Sequence, residues 1–302
     1  MVCERAGAAG RGGRVVGAPL SSSGMPPIRE PVLFIGAGAM GSAIIRGALE
    51  AGILDERRLA IAEPVEGRRA GYSHAFATAS EAADWFSRTD PDDRGLIVLA
   101  VKPQTLGAIE RELQRRLAGS RRIVITILAG ASSDTVRAAL GGTVRVIRVM
   151  PNLPAGVRRG ISAIALGAGA RPGDLAVAQR LMGGVGETIE IPERLMDAFT
   201  AVAGSGPAYL FYLAEGMLHA AVRLGFEQDV ALRIVTATLD GASAMLTAAE
   251  VSPAELRARV TSKGGTTAAA MAVFEEARTL ETIVTAIRAA RDRGAELARE
   301  VE

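Results

Sequence analysis

Cysteine is almost absent from this 302-residue chain: Cys3, in the N-terminal stretch, is the only one. One cysteine forms no internal disulfide and supplies no thiolate cluster for zinc. Histidine is nearly as scarce, with His74 and His219 far apart in sequence, so no metal site is expected. Cysteine usage of this kind points to a reducing, cytoplasmic compartment. Apolar runs such as Gly95–Val101 and Ile123–Ala131 fall well short of the roughly 18 residues needed to span a bilayer, and no membrane association is expected. Lysine is confined to Lys102 and Lys263, so 33 of the 35 basic residues are arginine. They are interleaved with 33 acids, for a net charge of +2, and no basic stripe of the nucleic-acid kind is present.

What the chain does have is apolar side chains, 49% of the total against 23% charged, enough for a sizeable core. Residues 1–29 read as a disordered leader. The first 24 are a Gly/Ala/Ser/Arg stretch without period or signal-like apolar core, and Met25 is a plausible later start. From residue 30 to 193, short apolar strands alternate with helical patterns: 31–35, 59–62, 96–101, 123–128, 144–149, 161–166 and 187–191 are the strands. That alternation predicts a parallel sheet with helical crossovers. Residues 194–302 are almost entirely helical in pattern, and Ser252 with Glu255 forms a capping-box signature. The expected fold is therefore α/β, a Rossmann-type dinucleotide-binding domain followed by an all-α domain. The second-half helices are apolar on several faces, as in Leu210, Phe211, Leu213, Met217 and Leu218, so a second subunit is the natural cover.

Four segments carry chemistry. Gly36-Ala37-Gly38-Ala39-Met40-Gly41 follows a strand and opens a helix, the arrangement that cradles a pyrophosphate. Glu63, followed by Pro64, ends the second strand, where an acid bonds the ribose diol of NAD; Arg68 and Arg69 are alternatively placed to clamp the 2′-phosphate of NADP. Ala100-Val101-Lys102-Pro103 and the segment ending in Asn152 close two further strands at the same sheet edge. Asn152 either bonds a nicotinamide amide or caps its turn. Ser262-Lys263-Gly264-Gly265-Thr266-Thr267 is a glycine-rich turn opening a helix, suited to a carboxylate.

Together FIGAGAMG (34–41), LAVKPQ (99–104), RVMPN (148–152), DAFTAVAGSGPAY (197–209) and VTSKGGTT (260–267) resemble the pyrroline-5-carboxylate reductase family, in family order across about 30–300. The resemblance implies hydride transfer from NADPH or NADH to the C=N carbon of Δ1-pyrroline-5-carboxylate, giving L-proline. It implies dimers with interleaved helical domains, often assembled further. It also implies substrate carboxylate on residues 262–267, with Thr267 donating a hydrogen bond or proton to the substrate nitrogen. Two departures stand out: Lys263 where the family has proline, and no match around Thr78–Glu81 for a family asparagine on the adenosine side. A β-hydroxyacid dehydrogenase would want its lysine on a helix of the second domain, whereas Lys263 sits in a turn. A nucleotide sensor without catalysis would not need the GGTT of 264–267.

Overall fold

The computed structural model describes residues 26–301, without the side chains of residues 300 and 301. Of the leader expected over residues 1–29, residues 1–25, with Cys3, lie outside the described residues. Residues 26–29, grouped with that leader by composition, include part of the folded core. Ile28 is buried, and its N–H donates to the Ile53 carbonyl at 2.8 Å.

The chain divides into two compact units, one ending at Gly204 but taking in the residues from Arg291 onward, the other Ser205–Ala290. The first unit alternates strand and helix: β1 (Val32–Ile35), α1 (Ala39–Glu50), β2 (Leu59–Ala62), α2 (Glu66–Arg69), β3 (Ala75–Phe76), α3 (Ala79–Thr89), β4 (Leu96–Leu99), α4 (Leu106–Leu117), β5 (Ile123–Thr126), α5 (Ser133–Ala139), β6 (Arg145–Met150), β7 (Gly160–Leu166), α6 (Leu175–Gly183) and β8 (Gly186–Glu190). The strands form one eight-stranded sheet in the order β3-β2-β1-β4-β5-β6-β7-β8.

Strands β1, β2 and β4 are buried at every residue and read VLFI, LAIA and LIVL, because helices cover both sheet faces. Successive side chains point to opposite faces. Phe34, Ile61, Val98 and Ile125 pack with Ile44 and Ile45 of α1, whereas Leu33, Ala60, Ile97 and Val124 pack with Phe86 of α3 and Leu113 of α4. One pairing departs from the expected parallel sheet: β6 and β7 are antiparallel. Only a 3-10 turn, Leu153–Val157, joins them, and a parallel return needs a crossover of a dozen or more residues.

After β8 the chain forms α7 (Met196–Phe199) and a π-helical turn, Thr200–Gly204. The second unit holds α8 (Gly206–Arg223), α9 (Gln228–Ala248), α10 (Pro253–Arg259), α11 (Thr266–Glu276) and the start of α12 (Thr279–Val301). Helices α8 and α9 pack together. Pro207 and Pro253 fall in the first turns of α8 and α10, where a missing N–H costs nothing. Among the described residues of this unit only Ala231 and Val235 are buried, while Leu210, Phe211, Tyr212 and Leu213 of α8 are exposed.

Candidate active site

The sheet register gathers the nucleotide-site candidates at one edge. Ile35 pairs with Ala62 on one side and Leu99 on the other, so Gly36, Glu63 and Ala100 leave three adjacent strands side by side. The Gly36 N–H donates to the Ala62 carbonyl and the Ala100 N–H to the Ile35 carbonyl, each at 2.8 Å. This is where strand order reverses about β1, the crevice at which open α/β sheets bind ligands.

The three glycines do different work. Gly36 holds φ +99°, and a Cβ there would lie 2.6 Å from the Ala100 carbonyl oxygen; a Cβ on Gly41 would lie 2.6 Å from the Gly36 oxygen. Both glycines therefore serve the close approach of strand, turn and helix. Gly38 is different: a Cβ there would meet nothing within 4 Å. Its bareness leaves room outside the protein's own atoms, in front of the N-terminus of α1. That terminus carries no side-chain cap and no acid in its first turn, unlike α3, α5 and α10, which Thr78, Ser132 and Ser252 cap. Unpaired N–H groups and the positive end of the helix dipole face that space, and these residues fit a dinucleotide pyrophosphate.

Glu63 is only 4% exposed. Its Oε2 accepts from the Ala37 N–H at 2.9 Å and its Oε1 from the Val65 N–H at 3.1 Å. Arg68 approaches Oε1 to 3.7 Å. The Nη1 group of Arg69 donates instead to the carbonyls of Glu63 and Pro64, at 2.8 and 2.9 Å. Ala100 and Val101 wall the glycine turn, and Lys102 is exposed, its carbonyl accepting from the Thr105 N–H and hydroxyl before Pro103 begins a short 3-10 turn.

Asn152 is buried, and its side chain bridges two segments: Oδ1 accepts from the Ile161 N–H at 2.9 Å and Nδ2 donates to the Ala203 carbonyl at 3.1 Å. It thereby ties the end of β6 to the start of β7 and to the π-helical turn. Thr78 and Glu81, the segment without the family asparagine, form the reciprocal capping box of α3. Two features were not legible in advance. Ser133 donates through its N–H and hydroxyl to the Glu193 carboxylate, which Arg148 meets at 3.4 Å, an assembly spanning sixty residues of sequence. The π-turn is the other; nothing in residues 200–204 distinguishes it from an α-helical pattern. Among the described residues no cluster of three or more His, Cys, Asp or Glu side chains could hold a metal ion.

In the second unit, Ser262, Lys263, Gly264 and Thr266 are exposed, and Gly265 and Thr267 half-buried. Gly264 takes φ +75°, and the Gly265 N–H closes the turn on the Ser262 carbonyl at 3.0 Å. A Cβ on Gly265 would lie 2.4 Å from Ser262 Oγ, so a larger residue there would have to turn that hydroxyl aside. Gly265 is the N-cap of α11, again with no side-chain cap and no acid in the first turn. The turn thus repeats, ten helices on, the uncapped helix start of α1, with no acid in its first turn.

The segment leading into this turn is itself anchored. Ser252 Oγ accepts from the Glu255 N–H at 3.2 Å, while Glu255 Oε2 accepts from the Ser252 N–H at 2.8 Å and hydroxyl at 2.7 Å. The Ser252 hydroxyl, then its N–H, holds the Glu255 carboxyl below its ordinary value of 4.5. A lowered folded-state value means stabilisation is complete above the unfolded value and is lost as pH falls through the folded one. Amide exchange across α10, corrected for intrinsic rates, is therefore expected to be slow at neutral pH and to accelerate in acid below the ordinary value. In Glu255→Gln, which caps without titrating, that acid step should disappear; its persistence would assign the step elsewhere.

Comparison with known proteins agrees with this fold. Residues 193–297 match the family model described as pyrroline-5-carboxylate reductase dimerisation, and residues 31–130 match that described as NADP oxidoreductase, coenzyme F420-dependent. Pyrroline-5-carboxylate reductase of Methanosarcina acetivorans is 35% identical over 90% of this chain and 99% of its own length. The enzyme of that name from Pseudomonas aeruginosa is 36% identical over 89% and 97%. Among solved structures, the pyrroline-5-carboxylate reductase of Coxiella burnetii superposes with a TM-score of 0.79 at 30% identity, covering 89% of this chain and 98% of that one. The Plasmodium falciparum enzyme, solved with NADP bound, gives 0.79 at 24% identity over 90% and 100%, a likeness of fold. A β-hydroxyacid dehydrogenase or a bare nucleotide sensor is displaced by these matches: the chain belongs to the pyrroline-5-carboxylate reductase family, NAD(P)H-dependent oxidoreductases of proline biosynthesis that work as homo-oligomers.

Proposed function

We propose that, in reducing the C=N bond of Δ1-pyrroline-5-carboxylate to L-proline, this chain holds the substrate carboxylate on Ser262, Lys263, Gly264, Gly265 and Thr266. The coenzyme pyrophosphate lies on Gly36, Ala37, Gly38, Ala39, Met40 and Gly41, with the adenosine ribose at Glu63 and Pro64 and the rest of the coenzyme along Ala100–Pro103 and Asn152. The observation that carries this reading is the pair of glycine-capped helix N-termini, α1 and α11, each without an acid in its own first turn and each able to receive one anion. The nicotinamide, when bound, supplies the hydride. The chain's own part is positioning: Thr267 offers its hydroxyl to the ring nitrogen, so that a proton reaches nitrogen as the carbon is reduced. Once protonated at that nitrogen the cyclic imine is electrophilic, so beyond this one hydrogen bond orientation of two bound reactants does most of what is required.

Hydrogen exchange with the product tests the substrate assignment. Added L-proline should slow the amides of residues 264–268; protection only elsewhere would move the carboxylate from this turn. Lys263 places a cation beside that carboxylate, and Lys263→Pro is expected to raise substrate KM about two- to fivefold, the worth of an exposed ion pair. An unchanged or lower KM would remove Lys263 from substrate binding.

The homodimer is the smallest assembly this reading requires, a second copy covering the apolar side chains of α8 and α9, with further association open to it. Helix α9 is long and apolar enough to cross a membrane by length and composition alone. Its position within the matched dimerisation residues favours a protein cover and a cytoplasmic enzyme whose other partners are small molecules, not nucleic acid.

A further inference from the structure

We infer that this chain selects NADH over NADPH, with Glu63 as the discriminating group. The inference rests on the assignment of the Gly36–Gly41 edge to the coenzyme and names what that edge prefers. In this class of fold the adenosine ribose lies at the end of the second strand, where Glu63 stands. The Glu63 carboxylate is buried and held by two backbone donors, the Ala37 N–H on Oε2 and the Val65 N–H on Oε1. An ionised carboxylate accepts about four hydrogen bonds, two on each oxygen, so each oxygen keeps capacity for one ribose hydroxyl. Because the Ala37 donor lies within the glycine turn, the group that reads the ribose is fixed to the turn that receives the pyrophosphate.

A 2′-phosphate at this position would bring further negative charge against a buried acid that cannot swing away without abandoning both N–H groups. The two arginines do not reverse this. Arg68 sits 3.7 Å from Glu63 Oε1, its charge directed at the carboxylate already present. The Nη1 group of Arg69 is engaged by two backbone carbonyls, which holds that side chain against the loop.

The test is direct binding without substrate: fluorescence titration of the full-length protein with NADH and with NADPH. The wild-type chain should bind NADH at least about tenfold more tightly, the scale of a like-charge juxtaposition. Glu63→Gln, which keeps the shape and removes the charge, should bring the two dissociation constants together. Arg68→Ala should leave NADH favoured. NADPH binding as tightly as NADH in the wild type overturns the inference without any variant having to fold. A ratio unchanged in Glu63→Gln overturns it too, as does a selective loss of NADPH in Arg68→Ala. Tight NADPH binding would still leave the glycine edge as the coenzyme site, whereas failure to bind either nucleotide would remove that assignment as well.

Discussion

Gly38→Ala is expected to fold as well as the wild type and to lose roughly tenfold or more in nucleotide affinity, the scale of the about 1–3 kcal/mol that overpacking costs. Gly38 sits at φ −65°, ψ −172°, a conformation that any residue adopts, and a Cβ there meets no protein atom within 4 Å. Alanine at a compatible site stabilises by about 0.4–1 kcal/mol through the unfolded chain, but it is a poorer N-cap than glycine, and with the two effects opposed Tm should stay close to wild type. The added methyl instead occupies space in front of α1. Gly36→Ala is the contrast: φ +99° and an approach of 2.6 Å to the Ala100 carbonyl predict loss of stability together with binding. Thermal melts paired with NADH titrations separate the two. If Gly38→Ala binds nucleotide normally, the pyrophosphate does not lie where α1 begins.

The second large effect belongs to Thr267. Thr267→Val preserves shape and removes the hydroxyl, and kcat should fall about a hundredfold or more, the usual worth of a positioned proton donor. Thr267→Ser should recover most of that loss. NADH affinity, measured without substrate, should be unchanged in both variants. A fall in NADH affinity equal to the fall in kcat would indicate a structural fault, and an unchanged kcat in Thr267→Val would exclude the hydroxyl from the reaction.

The parts of this enzyme that were readable from sequence are those whose cause is local. The run VLFI followed by Gly36-x-Gly38-x-x-Gly41 specifies strand, turn and helix within twenty residues, and β1 and α1 lie where that pattern puts them. The Ser252–Glu255 capping box is likewise a local cause, contained in four residues. Helices α5 and α6 are hard to read from sequence because they are short, seven and nine residues, with too few turns for an apolar period to stand out. The reversal of β7 escaped because pairing direction depends on the connection, and Leu153–Val157 is legible as a turn only once β6 and β7 are paired.

The candidate site divides the same way. The glycine turns and Thr267 sit in contiguous motifs. The grip of the Ala37 N–H on Glu63, 26 residues away, and the bridge from Asn152 to Ala203, 51 residues away, exist only after the sheet is assembled. Sequence left Asn152 between a nicotinamide contact and a turn cap; the folded chain engages both ends of its amide with backbone. The leader boundary moved for a comparable reason. Ile28 lies in a Pro-flanked stretch of weak pattern, yet the core reaches out to bury it.

The most direct measurement is steady-state oxidation of NADH by the purified full-length protein with Δ1-pyrroline-5-carboxylate, with L-proline quantified alongside. The account predicts one L-proline formed per NADH consumed, turnover lowered about a hundredfold or more in Thr267→Val, and a raised NADH KM in Gly38→Ala. A folded protein that binds NADH yet forms no L-proline would contradict it.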